Sequence, residues 1–190
     1  MSATPESPRT QQALNRAMME AVDHVHAAGW DSPPVLFALV ETSLLVDATG
    51  AADLIEGESP LTLVQQDDLP PHIEGGSDEL GDFISRLAWP EQVTGVILAQ
   101  EILFRDTAGT DPDEVSDGRD IPIEARPARL FSGVLRGGEE LTLLQLRPTE
   151  EELAQAGPFA EDEISLRGGP GVAPGVIAAL HYTLEQPAVD

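Results

Sequence analysis

GVLRGGEELTLLQLR, residues 133–147, decides how the middle of this chain is read. Two apolar runs flank a Gly137-Gly138 pair, the composition of a two-residue hairpin turn whose central residues need positive φ. Pairing about that turn sets Arg136 opposite Glu139, Val134 opposite Leu141, Ser132 opposite Leu143 and Phe131 opposite Leu144. Arg136 and Glu139 then form a cross-strand ion pair contributing about a few tenths of a kcal/mol. The apolar pairs place both faces of the hairpin indoors, so the stretch builds sheet before it binds anything.

Upstream, VTGVILAQEILFR (93–105) alternates Val96, Leu98, Ile102 and Phe104 on one face with Val93, Ile97 and Leu103 on the other, which predicts a long central strand. The Pro33-Pro34 pair blocks helix, and the run Val35 to Val40 reads as a strand buried on both faces. PLTLVQQ, from Pro60, is a further strand. Residues 43–55 carry no decisive period, a short helix being one reading.

The helices have clearer signals. Leu14, Met18, Ala21, Val25 and Ala28 form one apolar stripe, with Ser7 as N-cap, Pro8 at the first helical position and Gly29 as the stop. Ser77 caps a second helix, Asp78 and Glu79 complement its dipole, and Leu80, Phe83, Ile84 and Leu87 line one side before Pro90 ends it. Thr149 and Glu152 have capping-box spacing, and a short helix begins near Pro174. The order of elements lacks a regular βαβ alternation. It predicts a single α+β domain over 1–190, with an antiparallel or mixed sheet of about five strands packed with an N-terminal helix and two or three further helices. Residues 1–6 read as a disordered extension and 106–127 as a long acidic loop.

Composition narrows the chemistry. Cysteine is absent, which excludes disulfides, thiolate metal sites and cysteine nucleophiles. Nothing resembles a secretory leader or an apolar run of membrane-spanning length, so the expected compartment is the cytoplasm. All ten basic residues other than histidine are arginine, against 34 acids, for a net charge of −24. Such a field repels nucleic acid and anionic lipid at long range and leaves a protein partner open, a basic one included.

Each chemical motif has a competing structural explanation. His24 and His26 at i, i+2 diverge by about 200° around a helix and cannot share a metal. The acidic stretch from Asp113 offers acids or glycine at four EF-hand positions, through Asp117, Gly118 and Glu124, but Val115 and Pro122 break the template. SLRGGPGVAPGV lacks both phosphate-loop fingerprints, and Pro170 and Pro174 remove N–H donors. No serine-hydrolase elbow occurs. These readings imply no cofactor, no metal and no identified catalytic residue.

Against the acidic background, residues 119–147 hold five arginines and four acids. Arginine forks suit carboxylate or phosphate, and Arg129 and Arg147 lie near strand ends where they can reach such a group. His72, a loop residue beside Glu74, could with an acid perform proton transfer, although the sequence supplies no geometry for it.

WDSPP (30–34), LAWPE (87–91) and GVLRGG with LQLR (133–147) together resemble a family of actinobacterial proteins of about this length without an assigned function. The residues that carry the likeness are Trp30, Asp31, Pro33, Pro34, Trp89, Pro90, Gly133, Val134, Leu135, Arg136, Leu146 and Arg147. Gly137 stands where the resemblance implies Asp, and Gln145 where it implies arginine. The resemblance implies a shared fold and a cytoplasmic actinobacterial protein, and no activity. Candidate partner or anion contacts are Trp30, Asp31, His72, Trp89, Arg129 and Arg147. The sequence favours a non-enzymatic protein-binding or adaptor module; the alternative is a small-molecule hydrolase or transferase with an arginine-lined anion site.

Overall fold

The computed structural model describes residues 10–44, 60–66, 73–75, 77–104, 126–147, 151, 154–155, 166–168 and 174–185. The Ser7-Pro8 cap, most of 43–55, His72 and the Thr149–Glu152 box lie outside them, as does the acidic loop apart from its last two residues.

Helix α1 spans Gln11–Ala28. It opens where Thr10 accepts the Ala13 amide on its hydroxyl at 3.1 Å, so Thr10 is the cap of this helix rather than Ser7. Leu14, Met18, Ala21 and Val25 are buried as one stripe, whereas Ala28 lies exposed at the frayed end. Strands β1 (Val35–Glu41) and β2 (Leu61–Gln65) follow. Helix α2 covers Asp78–Ser85; the Ser77 hydroxyl accepts the Leu80 amide at 3.2 Å, and the helix stops at Arg86, ahead of Pro90. Strands β3 (Val93–Phe104), β4 (Arg126–Leu135), β5 (Glu140–Leu146) and β6 (Leu166–Gly168) precede helix α3, Pro174–Glu185. Arg126 and Pro127, expected in the acidic loop, already belong to β4.

The six strands form one sheet in the order β2-β1-β3-β4-β5-β6, every neighbouring pair antiparallel. This is an α+β fold with an antiparallel rather than a mixed sheet. Helix α1 covers one face, packing Leu14, Met18 and Val22 on Phe37, Leu39, Ile97, Phe131 and Leu135. Helices α2 and α3 cover the other, over Leu36, Ala38, Val96, Leu98 and Val134. Two covered faces explain why β1, β3 and β4 read as near-continuous apolar runs. Gly133 lets α1 come close: a Cβ there would lie 2.8 Å from Met18 Cε. Among the described residues no helix is long and apolar enough to cross a membrane.

Two details differ from the sequence reading. In β3, Val93 pairs with Val40 while Gly95 pairs with Leu39, so Thr94 is an extra residue in the strand. That bulge turns Val93 onto the face of Val96 and Leu98, away from Ile97. In the β4–β5 hairpin, Leu135 donates to Glu139 O at 2.9 Å and Gly138 donates to Leu135 O at 3.0 Å. The loop therefore has three residues, Arg136-Gly137-Gly138, with only Gly138 at positive φ, +103°. A three-residue loop with one left-handed glycine shifts the register by one from a two-residue turn. Val134 faces Glu140, Ser132 faces Thr142 and Phe131 faces Leu143.

The expected Arg136–Glu139 clasp is absent as a result. Arg136 instead turns into the protein, donating from Nε to Val93 O at 2.6 Å, from Nη2 to Trp89 O at 3.3 Å and Pro90 O at 3.0 Å, and from Nη1 to Leu184 O. It ties the β4–β5 turn to the start of β3 and the end of α3.

Candidate functional site

The site grows from the turn that reverses the chain between α1 and β1. Gly29 has φ +91° and Asp31 φ +64°, a left-handed conformation that aspartate tolerates better than most residues. Two left-handed residues in three lift Trp30 off the end of α1. The Ser32 hydroxyl donates to Gly29 O at 3.0 Å, and the Glu101 carboxylate accepts the amides of Asp31 at 2.9 Å and Ser32 at 2.5 Å. A strand residue thus pins the turn onto the sheet.

Strand register then builds a polar row beneath it. Glu101 of β3 lies opposite Arg129 of β4, which lies opposite Gln145 of β5. The row follows the apolar row Ala99–Phe131–Leu143 on the α1 face. Gln145 accepts from Arg129 Nη1 at 3.2 Å. The arginine implied at 145 by the resemblance would have set two like charges side by side, whereas glutamine supplies an acceptor.

Arg129 is the unusual member, with only 1% of its surface exposed. Its guanidinium carbon sits 4.0 Å from the Trp30 ring centroid, a cation–π contact. Its Nε and Nη2 atoms are buried and, among the described residues, have no hydrogen-bond partner. Burial lowers the Arg129 pKa from arginine's ordinary value; the Glu101 charge opposes this and the Arg147 charge adds to it. Arg147 approaches the same indole, its guanidinium carbon 5.4 Å from the centroid, and grips Asp31 with Nη1–Oδ1 at 3.1 Å and Nη2–Oδ2 at 3.4 Å. Beside Arg129 lies a cleft of about 70 Å³ lined by His24, Ser32, Val35, Gln65 and Glu101.

Four of the six expected contacts, Trp30, Asp31, Arg129 and Arg147, therefore meet at one corner. Trp89 does not. It is buried on the opposite face, donating from Nε1 to the Thr183 hydroxyl at 3.0 Å. It serves the packing of α3 and shares no surface with Trp30. Glu101, Gln145 and Ser32 were not among the expected contacts. The one trace of them in sequence is polarity inside an apolar strand, Gln100-Glu101 in β3 and Gln145 in β5, and only the strand register brings that trace together with Arg129. His24 is exposed, bonded through Nε2 to Gln65 Oε1 at 3.0 Å. Among the described residues no group of three or more potential metal ligands gathers.

A protein-family model described as PPA1309-like protein matches residues 14–185, from the first turn of α1 to the end of α3. Neither the curated proteins nor the solved structures include a match.

Proposed function

From the premise that the chain belongs to the PPA1309-like family, we propose that it is a non-enzymatic binding module of the actinobacterial cytoplasm that docks a protein partner at the Trp30 corner. The observation that carries this reading is the indole itself, half-buried, contacted by two guanidinium groups and flanked by an Arg147–Asp31 ion pair. Tryptophan and arginine are the side chains most enriched where interfaces concentrate their energy, and they do so best when held rigid before the partner arrives. Glu101 supplies that rigidity by fixing the turn. The net charge of −24 favours encounter with a basic partner, while the arginines offer a local positive spot within that field.

The enzymatic alternative draws on the same Arg129 and needs a proton-transfer group beside it. Of the titratable neighbours, Glu101 is engaged with two backbone amides and His24 with Gln65. Both arrangements suit support of a binding surface better than turnover.

Tagged full-length protein captured from its native cytoplasm tests the reading. Proteins recovered with wild type and with Tyr182→Ala, which alters an exposed aromatic on α3, are expected to be lost with Trp30→Ala. Equal recovery with all three removes the corner as the docking site, and recovery with none removes the binding module.

A further inference from the structure

Arginine's five N–H groups present distinct edges, and the unpartnered atoms of Arg129 fall on a single one. Nε–H and one Nη2–H lie in the guanidinium plane and point in parallel from one edge, the edge that meets both oxygens of a carboxylate. Nη1 is already directed at Gln145. What the described residues do not offer Arg129 is therefore two parallel acceptors about the width of a carboxylate apart, rather than a single acceptor at an arbitrary position.

The surroundings support that deficit. Removing one partner of a buried charge pair is strongly destabilising because the remaining charge has been desolvated without compensation. The Glu101 carboxylate lies across the strand pair from Arg129, but its oxygens accept from Asp31 and Ser32. Arg147 directs its two Nη groups at Asp31. Arg129 itself lines the small cleft and lies against the Trp30 indole, so the positively charged fork and the cleft together have the form of a receptor.

We propose that the Nε–Nη2 edge of Arg129 is the receptor for one carboxylate group, held in two parallel hydrogen bonds beside Trp30. Carboxylate is favoured over phosphate because Glu101 adds negative charge to the row and the cleft is small, so a second ligand charge is repelled. The inference rests on the Trp30 corner as the protein's binding site, and the carboxylate belongs either to a side chain or terminus of the protein partner or to a free small carboxylic acid.

The test uses full-length ¹⁵N-labelled protein, whose ten arginines give few enough Nε–H resonances to assign by substitution. Sodium acetate, sodium phosphate and sodium chloride are titrated at matched ionic strength. The expected result is that one Nε–H signal, missing in Arg129→Lys, moves downfield saturably with acetate, together with the Trp30 indole signal. Its midpoint should lie about tenfold or more below that of chloride or phosphate. No saturable movement, an equal response to chloride, or a stronger response to phosphate overturns the proposal. So does an Arg129 Nε–H already downfield and slow to exchange in anion-free buffer, because a carboxylate of the chain itself then fills the edge.

Sources separate in a second arm. Acetate that releases the captured partner assigns the carboxylate to that partner; acetate that binds without releasing it assigns the group to a free acid. Saturable acetate binding with no partner captured leaves the carboxylate receptor standing while the docking reading fails.

Discussion

Arg136 donates through Nη1 to the main-chain carbonyl of Leu184, joining the tip of the β4–β5 hairpin to the last turn of α3. Carbonyls at a helix C-terminus have no intrahelical donor, so a half-buried cation there satisfies both a hydrogen bond and the negative end of the dipole. The same guanidinium also serves Val93, Trp89 and Pro90. Arg136→Met should destabilise the protein by about 3 kcal/mol, because it strands several acceptors at once. Arg136→Lys should recover only a minor part, since one ammonium cannot copy a planar fork that reaches carbonyls from three directions. Urea denaturation of both variants measures this. A loss below about 0.5 kcal/mol for Arg136→Met would show that water replaces the bonds without cost.

The two turn glycines should behave oppositely. Gly138 has φ +103°, where any Cβ is strained, although no atom stands within 4 Å of it. Gly138→Ala is expected to cost about 1 kcal/mol or more. Gly137 is not left-handed, and an added Cβ meets only the flexible Glu139 carboxylate, at 2.6 Å. Gly137→Ala should be neutral or stabilise by up to about 0.5 kcal/mol, through reduced freedom of the unfolded chain. Thermal unfolding of the pair separates conformational strain from crowding. Equal losses in both would contradict the three-residue loop.

How much of this was legible beforehand depended on which signal decided each element. Helix α2 was read from Ser77 and its stripe because both are local and reinforce each other. The strands were legible from their apolar runs, but pairing required geometry that no run contains. Gly137-Gly138 suits a two-residue turn, yet the chain places only Gly138 left-handed and slips the register by one. Since register decides neighbours, that single residue moved Arg136 from a surface clasp to a half-buried tie between elements. Thr94 hid the bulge in the same way, because an alternating pattern cannot show where an extra residue enters. At the site, Trp30 and the arginines stood out as rare residues, while Glu101 and Gln145 gained their meaning only when the sheet set them on either side of Arg129.

Close packing of α1 on the sheet gives a comparison between two glycines. A Cβ at Gly133 would meet the end of Met18 at 2.8 Å, whereas one at Gly95 would meet the Val134 carbonyl oxygen at 2.5 Å and Leu135 Cδ2 at 2.5 Å. Met18 has three rotatable bonds and can yield; a carbonyl fixed in a strand cannot. Gly133→Ala is expected to cost about 1–2 kcal/mol and Gly95→Ala about 3 kcal/mol or more. Adding Met18→Ala to Gly133→Ala should show positive coupling, the double variant being less destabilised than the sum of the singles. Strict additivity would mean that the helix and sheet do not meet at this point.

Ser132 is completely buried in β4, and among the described residues its hydroxyl has no partner. Burying an unpaired hydroxyl is unfavourable, so removing it should not cost what a core truncation usually does. Ser132→Ala is expected to be neutral or stabilising by up to about 1 kcal/mol, whereas Ser132→Val should destabilise by overfilling the interior beside Val134 and Leu98. Chemical denaturation of the two variants gives the sign in each case.

Arg129 offers the sharpest conflict between stability and function. Burial holds its pKa below arginine's ordinary value in the folded protein, so between the lowered and the ordinary value the unfolded chain binds more protons than the folded one. Stability therefore rises with pH through that alkaline window, and the destabilising contribution is fully present at neutral pH, where both states are protonated. Arg129→Met removes the buried charge and keeps an unbranched apolar stem against Trp30. It should raise neutral-pH stability by about 1 kcal/mol or more, even though it leaves Gln145 without its donor; Arg129→Met with Gln145→Leu should rise further. Acetate in the millimolar range is expected to stabilise the wild type by mass action and to leave Arg129→Met unmoved beyond a salt control. Thermal melts of both proteins in acetate and chloride measure the two effects together. A wild type more stable than Arg129→Met in anion-free buffer would show that the guanidinium is already compensated inside the fold, and that no ligand carboxylate is needed to complete it.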